Sequence, residues 1–150
     1  MPMSQPKAAV VEALSLLLAD SYTLYLKTHN YHWNVTGPMF TTLHTLFETQ
    51  YTELALAVDE IAERLRAVGA YAPGSYSEFL AMSTVEEASG RPTASVMLGH
   101  LVADQEKVVQ SAKRLIEAAE KAKDQVSADL GVRRAQVHEK NAWMLRSHLE

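Results

Sequence analysis

The amino-acid sequence predicts an all-α fold in which four amphipathic helices form a bundle. Glycine and proline number only 6 and 5, and they cluster at a few places, as expected for residues that interrupt helices. Between those clusters, apolar residues recur every three or four positions, which is the spacing of one helix face. No run alternates between apolar and polar residues for long enough to form a sheet. Long amphipathic helices of this kind bury their apolar faces by packing into a bundle.

The first two helices occupy two blocks of about 30 residues, separated by the break at Gly37 and closed by the Gly- and Pro-containing stretch 69–74. In the first helix, Glu12, Asp20 and Lys27 lie off the apolar stripe. The stripe of the first helix contains Val10, Leu14, Leu17, Leu18, Leu24 and Tyr25. The stripe of the second contains Leu43, Leu46, Phe47, Leu54, Val58, Ile61 and Leu65.

A long connection, roughly from Gly69 to Pro92, follows the second helix. Within it, the stretch from Ser75 to Ala81 predicts a short extra helix. The block that begins at Thr93 carries a helical apolar pattern on both sides of a polar patch at 121–127, and therefore predicts two more long helices.

The last helix has two candidate N-caps, Ser127 and Asp124, both of residue types that accept hydrogen bonds from the first free backbone N–H groups. Gly99 and Gly131 lie inside helical pattern, where each costs about 1 kcal/mol relative to alanine. The sequence offers no reason for either glycine.

Length and composition bound the class of protein. The 150 residues predict one domain, 1–150, with 1–6 as a short flexible tail. The absence of cysteine excludes thiolate metal sites and a thiol nucleophile, which leaves His, Asp and Glu as metal ligands. A net charge of −4 disfavours general attraction to nucleic acid. With no signal-like start and no apolar run of about 18 residues, we expect a cytoplasmic protein without a membrane span.

Four polar side chains share one stripe of the second helix. His44 and Glu48 are spaced i, i+4, as are Asp59 and Glu63, so each pair shares a face. Eleven residues separate Glu48 from Asp59, which leaves only about 20° of rotation between the two pairs. The stripe borders the apolar Phe47, so both a solvated or salt-bridged face and a metal site fit it.

Distance limits how such a metal site could close. His44 and Asp59 are 15 residues apart, which is about 22 Å along a straight helix. Two antiparallel copies of the helix about a two-fold axis would instead bring His44 and Glu48 of one copy towards Asp59 and Glu63 of the other, forming two sites. Imidazole with carboxylates suits iron, zinc or manganese.

The chain resembles the Dps family, the miniferritins named as DNA-binding proteins from starved cells, over nearly its whole length. The motifs that carry the resemblance are His29-Asn30-Tyr31-His32-Trp33-Asn34-Val35-Thr36-Gly37-Pro38, Phe40, Leu43-His44, Phe47-Glu48, Asp59-Glu60-Ile61-Ala62-Glu63-Arg64 and His138-Glu139-Lys140-Asn141-Ala142-Trp143-Met144-Leu145-Arg146. The resemblance implies a ferritin-like four-helix bundle whose long second connection crosses the bundle.

The resemblance also implies a ferroxidase centre between two subunits. Its ligands would be His32, His44 and Glu48 of one subunit with Asp59 and Glu63 of the two-fold mate. The position of Glu48 is often Asp in the family, so a longer side chain fills it here. Trp33 matches the family's tryptophan beside the centre, where it would donate an electron to stray radicals. No Glu-x-x-His sequence is present, which argues against the intrasubunit di-iron site of larger ferritins.

Other polar residues carry two interpretations each. His29, one turn before His32, is either an additional metal ligand or a histidine at a helix end. Asp124 and Asp129 resemble the acidic residues of the family's three-fold iron pores, and a helix cap explains them as well. Glu53 and Glu60 would nucleate mineral or form a solvated face. We interpret His100, His138 and His148 as structural, and Trp143 as a packing residue.

The function implied by the resemblance is iron storage and detoxification under oxidative stress. A hollow homododecamer would oxidise Fe(II), preferentially with hydrogen peroxide, and store the ferric mineral inside. Two alternatives stay open: a DNA-compacting structural protein, which would need a basic tail where this chain offers only Lys7, and a redox-inert cage that binds zinc. We expect no DNA binding near neutral pH and no membrane partner.

Overall fold

A computed structural model of the chain describes residues 2–150, and over that range it contains five α-helices and no β-strand. The four long helices are α1 (Gln5–Asn34), α2 (Phe40–Ala67), α4 (Ala94–Lys121) and α5 (Gln125–Arg146). The short helix α3 (Tyr76–Met82) lies in the long connection, and a single 3₁₀ turn, Ser147–Leu149, ends the described chain. The all-α prediction, including the extra helix, is confirmed.

Capping residues explain where the helices begin. The Ser4 hydroxyl accepts a hydrogen bond from the Lys7 N–H at 3.3 Å, and Pro6 fits the first turn of α1. The helix therefore starts at Gln5, which corrects the predicted tail 1–6: residues 5 and 6 are helical. Met1 lies outside the described residues. Asp124, not Ser127, caps α5, and its carboxylate accepts the Ser127 N–H at 3.0 Å.

The bundle is held together by α1 packing on α2 and α4, and by α4 packing on α5. Each fully buried Leu, Phe or Met side chain of this core stabilises the fold by about 1.5–3 kcal/mol. Among the described helices, α1 alone has the length and apolar content of a membrane-spanning helix, and half of its most apolar window is buried inside the bundle. Its residues Leu14, Leu17 and Leu24 are fully buried, as in a core helix.

Two charged residues of α1 that lie off the predicted apolar stripe are nevertheless buried. Asp20 has no exposed surface and Lys27 is 6% exposed. The Lys27 ammonium lies 2.8 Å from the Asp104 carboxylate and donates to the Glu86 carbonyl at 2.9 Å. The predicted apolar stripe did not identify Asp20 and Lys27 as buried residues. They are buried because α1 is covered by the 83–86 segment as well as by α2 and α4.

Gly131 is explained by the close approach of α4 and α5. A Cβ atom at Gly131 would lie 2.8 Å from Ile116 Cγ1 and 3.1 Å from the Ala112 carbonyl oxygen, so any side chain would push the two helices apart. The cost of a helical glycine is therefore offset by packing. Nothing in the structure explains Gly99, whose added Cβ would meet no atom within 4 Å.

Candidate metal centre

His32 and His44 form the nucleus of the candidate site. Their rings are stacked, with centroids 3.7 Å apart and an interplanar angle of 15°. His32 Nδ1 donates to the His44 carbonyl at 2.7 Å, and His44 Nδ1 donates to the His32 carbonyl, also at 2.7 Å. A carbonyl oxygen can only accept, so Nδ1 carries the proton in both rings. In the neutral rings this leaves the lone pair on Nε2, the form in which histidine binds metals.

The turn between α1 and α2 places the two rings together. Gly37 has φ +107°, a left-handed conformation that glycine adopts without strain, and it reverses the chain within a few residues. Val35, the first residue of this turn, is buried. The His32 carbonyl belongs to the last turn of α1, where carbonyls lack helical partners, so the His44 imidazole satisfies one of them.

The three carboxylates of the predicted centre are exposed, and Glu48 is far from the Asp59 and Glu63 pair on the same helix. Glu48 lies one turn after His44, whereas Asp59 and Glu63 lie about 22 and 28 Å from His44 towards the other end of α2. The salt bridges of the described residues involve other carboxylates. Within residues 2–150, no three His, Asp or Glu side chains of one subunit converge on a possible metal position. One subunit thus brings His32 and His44 together but not the whole predicted set.

Asp59 lines an open groove between α1, α2 and α3. The rest of the lining is mostly apolar and includes Tyr22, Val58, Tyr76 and Phe79. Asp59 takes part in no salt bridge within the described residues, so its carboxylate is available to a ligand or to a partner that covers the groove.

His29 and Trp33 lie beside the histidine pair rather than within it. The His29 ring is sandwiched between Trp33 at 3.8 Å and Tyr51 at 4.2 Å, and its centroid is 6.1 Å from that of His32. Burial, followed by repulsion from His32 when that ring is protonated, lowers the pKa of His29, which favours the neutral form that can bind metal. Trp33 is 58% exposed.

Tyr51 is a neighbour of the site that sequence reasoning missed. Its ring centroid is 5.1 Å from that of His32, in an edge-on arrangement. Burial, followed by the nearby charge of Glu48, raises the pKa of the Tyr51 phenol. The signal was present in the sequence, because Tyr51 is seven residues after His44 and therefore on the same helix face.

Arginines pair with the four acidic residues that were predicted to line a pore, to nucleate mineral or to be structural: Asp124, Asp129, Glu53 and Glu60. The Asp124 carboxylate accepts a hydrogen bond from the Arg64 guanidinium at 3.0 Å. Burial alone would raise the pKa of Asp124. The hydrogen bonds from Ser127 and the charge of Arg64 outweigh burial, so the pKa of Asp124 is lowered. Asp129 and Glu60 both pair with Arg133, and Glu53 pairs with Arg134. These pairs give each carboxylate a structural partner.

The remaining histidines have partners of other kinds. His138 is fully buried, donates from Nδ1 to Gln105 and accepts from Arg134. Burial, followed by the charge of Arg134, holds the pKa of His138 well below its usual value. His100 bonds the Tyr31 hydroxyl at 2.9 Å, and His148 bonds the Met144 carbonyl at 2.9 Å.

The Trp143 side chain is 61% exposed, so it does not pack within the subunit as we expected.

Sequence similarity to curated relatives extends over almost the whole chain. A relative from Bacillus anthracis, named DNA protection during starvation protein 2, is 40% identical over 140 residues, covering 93% of this chain and 96% of the relative. A low temperature-induced protein from Nostoc is 39% identical over 148 residues, covering 97% of this chain and 83% of the relative.

Solved structures of the same kind superpose closely. A Dps protein from Bacillus brevis is 34% identical with a TM-score of 0.96, covering 99% of this chain and all of that one. Dps from Staphylococcus aureus is 38% identical with a TM-score of 0.91, covering 94% and 95% of the two chains. The model of the Ferritin-like domain family matches residues 11–150. The fold, the helix pairing and these likenesses together show that the chain belongs to the Dps family of ferritin-like proteins.

Proposed function

We propose that this protein binds and oxidises Fe(II) at a centre shared by two subunits. His32, His44 and Glu48 of one subunit would hold iron together with Asp59 and Glu63 of the partner subunit, and a two-fold dimer would contain two such centres. One observation carries the proposal: the reciprocal Nδ1 hydrogen bonds of His32 and His44, which orient both rings and leave both Nε2 atoms as ligands.

The donor set suits iron as the substrate. Imidazole and carboxylate ligands without thiolate are typical of redox-active iron, and carboxylates stabilise Fe(III) more than Fe(II). Two Fe(II) ions reduce one hydrogen peroxide, taking up two protons and giving two Fe(III) and two waters. Because both electrons are delivered together, no hydroxyl radical is released. A related Dps structure from Vibrio cholerae is described as a ferritin-like diiron-carboxylate protein, which supports this chemistry.

The wider proposal is that the ferric product is stored as mineral inside a hollow homododecamer in the cytoplasm. Fe(II) would enter through pores lined by Asp124 and Asp129, and His29 would offer an additional ligand. Trp33 would donate an electron to stray radicals near the centre. Zinc would compete for the same donor set, and a Dps structure from Listeria innocua was obtained after soaking with zinc.

Replacing both His32 and His44 by Ala should reduce peroxide-dependent Fe(II) oxidation to the rate without protein, because two of the five ligands are lost. Stopped-flow absorbance measures the oxidation, and circular dichroism checks that the helices remain. The control variant His148→Ala also removes a histidine, but near the C-terminal end of the chain, and it should oxidise Fe(II) like the wild type. A double variant that is as fast as the wild type would show that the pair is not the centre.

A second candidate function is DNA compaction, because relatives carry the name DNA protection during starvation protein. At physiological salt and near neutral pH, we expect no retardation of duplex DNA in a gel, since a protein of net charge −4 releases few counterions from phosphate. A version with an added N-terminal polylysine arm serves as the positive control. A tight, salt-sensitive shift by the natural chain would favour DNA compaction.

A further inference from the structure

Three amide side chains and one hydroxyl lie among the buried residues of the four long helices. Gln50 of α2 is 3% exposed, Gln105 of α4 has no exposed surface and Asn141 of α5 is 8% exposed. Thr28 of α1 has no exposed surface either. We call Thr28, Gln50, Gln105 and Asn141 the buried polar cluster.

Contacts between α2 and α5 place Gln50 opposite Asn141. The two helices run antiparallel, and Arg64 Nε on α2 donates to the Ser127 hydroxyl on α5 at 3.0 Å. Gln50 lies 14 residues before Arg64, and Asn141 lies 14 residues after Ser127. Because antiparallel helices advance equally in opposite directions, the two buried amides lie at the same level of the bundle.

Contacts of α4 bring the other two members to that level. His138 Nδ1 on α5, one turn before the buried asparagine, donates to Gln105 Oε1 at 2.6 Å. The Lys27 ammonium on α1 lies 2.8 Å from the Asp104 carboxylate on α4. Thr28 and Gln105 are the next residues on their helices. Each of the four long helices therefore contributes one residue to the same part of the interior.

The buried polar cluster cannot satisfy its own hydrogen bonds. Five of its side-chain atoms have no hydrogen-bond partner among the described residues: Thr28 Oγ1, Gln50 Nε2, Gln50 Oε1, Gln105 Nε2 and Asn141 Nδ2. Each of the three amide nitrogens carries two N–H groups, whereas only the Gln50 carbonyl and the Thr28 hydroxyl can accept, with two lone pairs each. The N–H groups thus outnumber the acceptor positions, although buried polar groups in native proteins nearly always have partners.

We propose that the buried polar cluster is a binding site for ordered water molecules inside each subunit. Water supplies lone pairs to the three amide nitrogens and a donor to the Gln50 carbonyl, and a buried water makes about three such bonds. The site lies one helical turn below the histidine pair, since Thr28 precedes His32 by four residues. It requires neither iron nor a partner subunit, so it stands independently of the proposed function.

A charged ligand does not fit the same atoms. A cation would face the amide N–H groups, which only donate. The nearest positive side chain, Arg134, has an unpartnered Nε, but Glu53 already accepts from its guanidinium at 3.0 Å and balances its charge. Burial, followed by the charge of Arg134, holds the pKa of His138 well below its usual value, so this ring adds no positive charge. An anion would therefore be buried without a counter-charge, whereas water costs none.

A crystal structure of the wild-type protein, at a resolution that shows ordered water, tests the site directly. We expect at least one water within hydrogen-bond distance of both Gln50 and Asn141, and a second contact from Thr28 or Gln105. Direct amide-to-amide hydrogen bonds with no water between them would overturn the proposal. So would a strong peak that refines as an ion rather than as water.

Urea unfolding at equal protein concentration tests the same site in solution. Gln50→Leu and Asn141→Leu should each lower the unfolding midpoint, because each leaves the shared water and the other amide without a partner. The shift in the double variant should be clearly smaller than the sum of the two single shifts. Additive shifts would mean that the two amides share no water, and would overturn the proposal.

Gln110→Leu is the matched control, because it makes the same substitution at an exposed position of α4. Combined with Asn141→Leu, it should give additive shifts of the midpoint, as expected for residues without a common partner. If this pair is as far from additivity as Gln50→Leu with Asn141→Leu, the coupling does not arise from the buried polar cluster and the proposal is refuted.

Discussion

Co-expression of two inactive variants, His44→Ala and Asp59→Ala, should restore Fe(II) oxidation. In a mixed dimer, one centre collects both defects. The other joins the intact His44 of one subunit to Asp59 of the partner subunit, and it collects neither defect. Random pairing makes about half of the dimers mixed, each with one good centre of two, so about a quarter of all centres should recover.

The reason for expecting rescue is distance. His44 and Asp59 are about 22 Å apart along one helix, and the described residues of a single subunit bring no three His, Asp or Glu side chains together. A centre built within one subunit would never be rescued, because every chain carries a defect. Stopped-flow oxidation per subunit is the measurement, with mass spectrometry to confirm mixed assemblies.

The matched control combines two defects that fall on the same side of the centre. When His32→Ala and His44→Ala are co-expressed, every centre lacks one histidine whatever the pairing, so activity should stay absent. If Fe(II) oxidation returns when His44→Ala is co-expressed with Asp59→Ala, but not in the control mixture, two subunits share the centre. Confirmed mixed assemblies that remain inactive in both combinations would refute it.

The helix layout was predictable because it depends on local signals. Gly37 and the stretch 69–74 break the chain where a helix cannot continue, and the residues between them have helical spacing. The short helix α3 was placed within one residue, because Ser75 is an N-cap signal that acts over a single turn.

Long-range features were not predictable by the same means. The alignment of His32 and His44 depends on carbonyls that face across the turn, which spacing does not encode. Gly131 is required by Ile116, a residue on another helix. The burial of Lys27 depends on a loop about 60 residues further along the chain that covers α1. In each case, the deciding partner is distant in sequence.

Asp20 is the strongest example of such a distant partner. Its buried carboxylate accepts hydrogen bonds from the Ser83 hydroxyl at 2.9 Å, from the Thr84 N–H and hydroxyl at 2.6 and 2.9 Å, and from the Val85 N–H at 3.2 Å. It also accepts from the Ser111 hydroxyl on α4 at 2.5 Å. One carboxylate thus fixes the connection that carries α3 to both α1 and α4.

Asp20→Ala should therefore destabilise the protein by roughly 3–5 kcal/mol, because two backbone N–H groups and several hydroxyls lose a charged acceptor in a buried place. The matched control is Asp129→Ala, which removes an exposed ion pair with Arg133 and should cost no more than about 1 kcal/mol. Urea unfolding followed by circular dichroism, at equal protein concentration, measures both. Hydrogen exchange should also quicken at Thr84 and Val85 in Asp20→Ala only. Equal unfolding midpoints for the two variants would mean that the connection is held mainly by its apolar contacts through Phe79 and Val85.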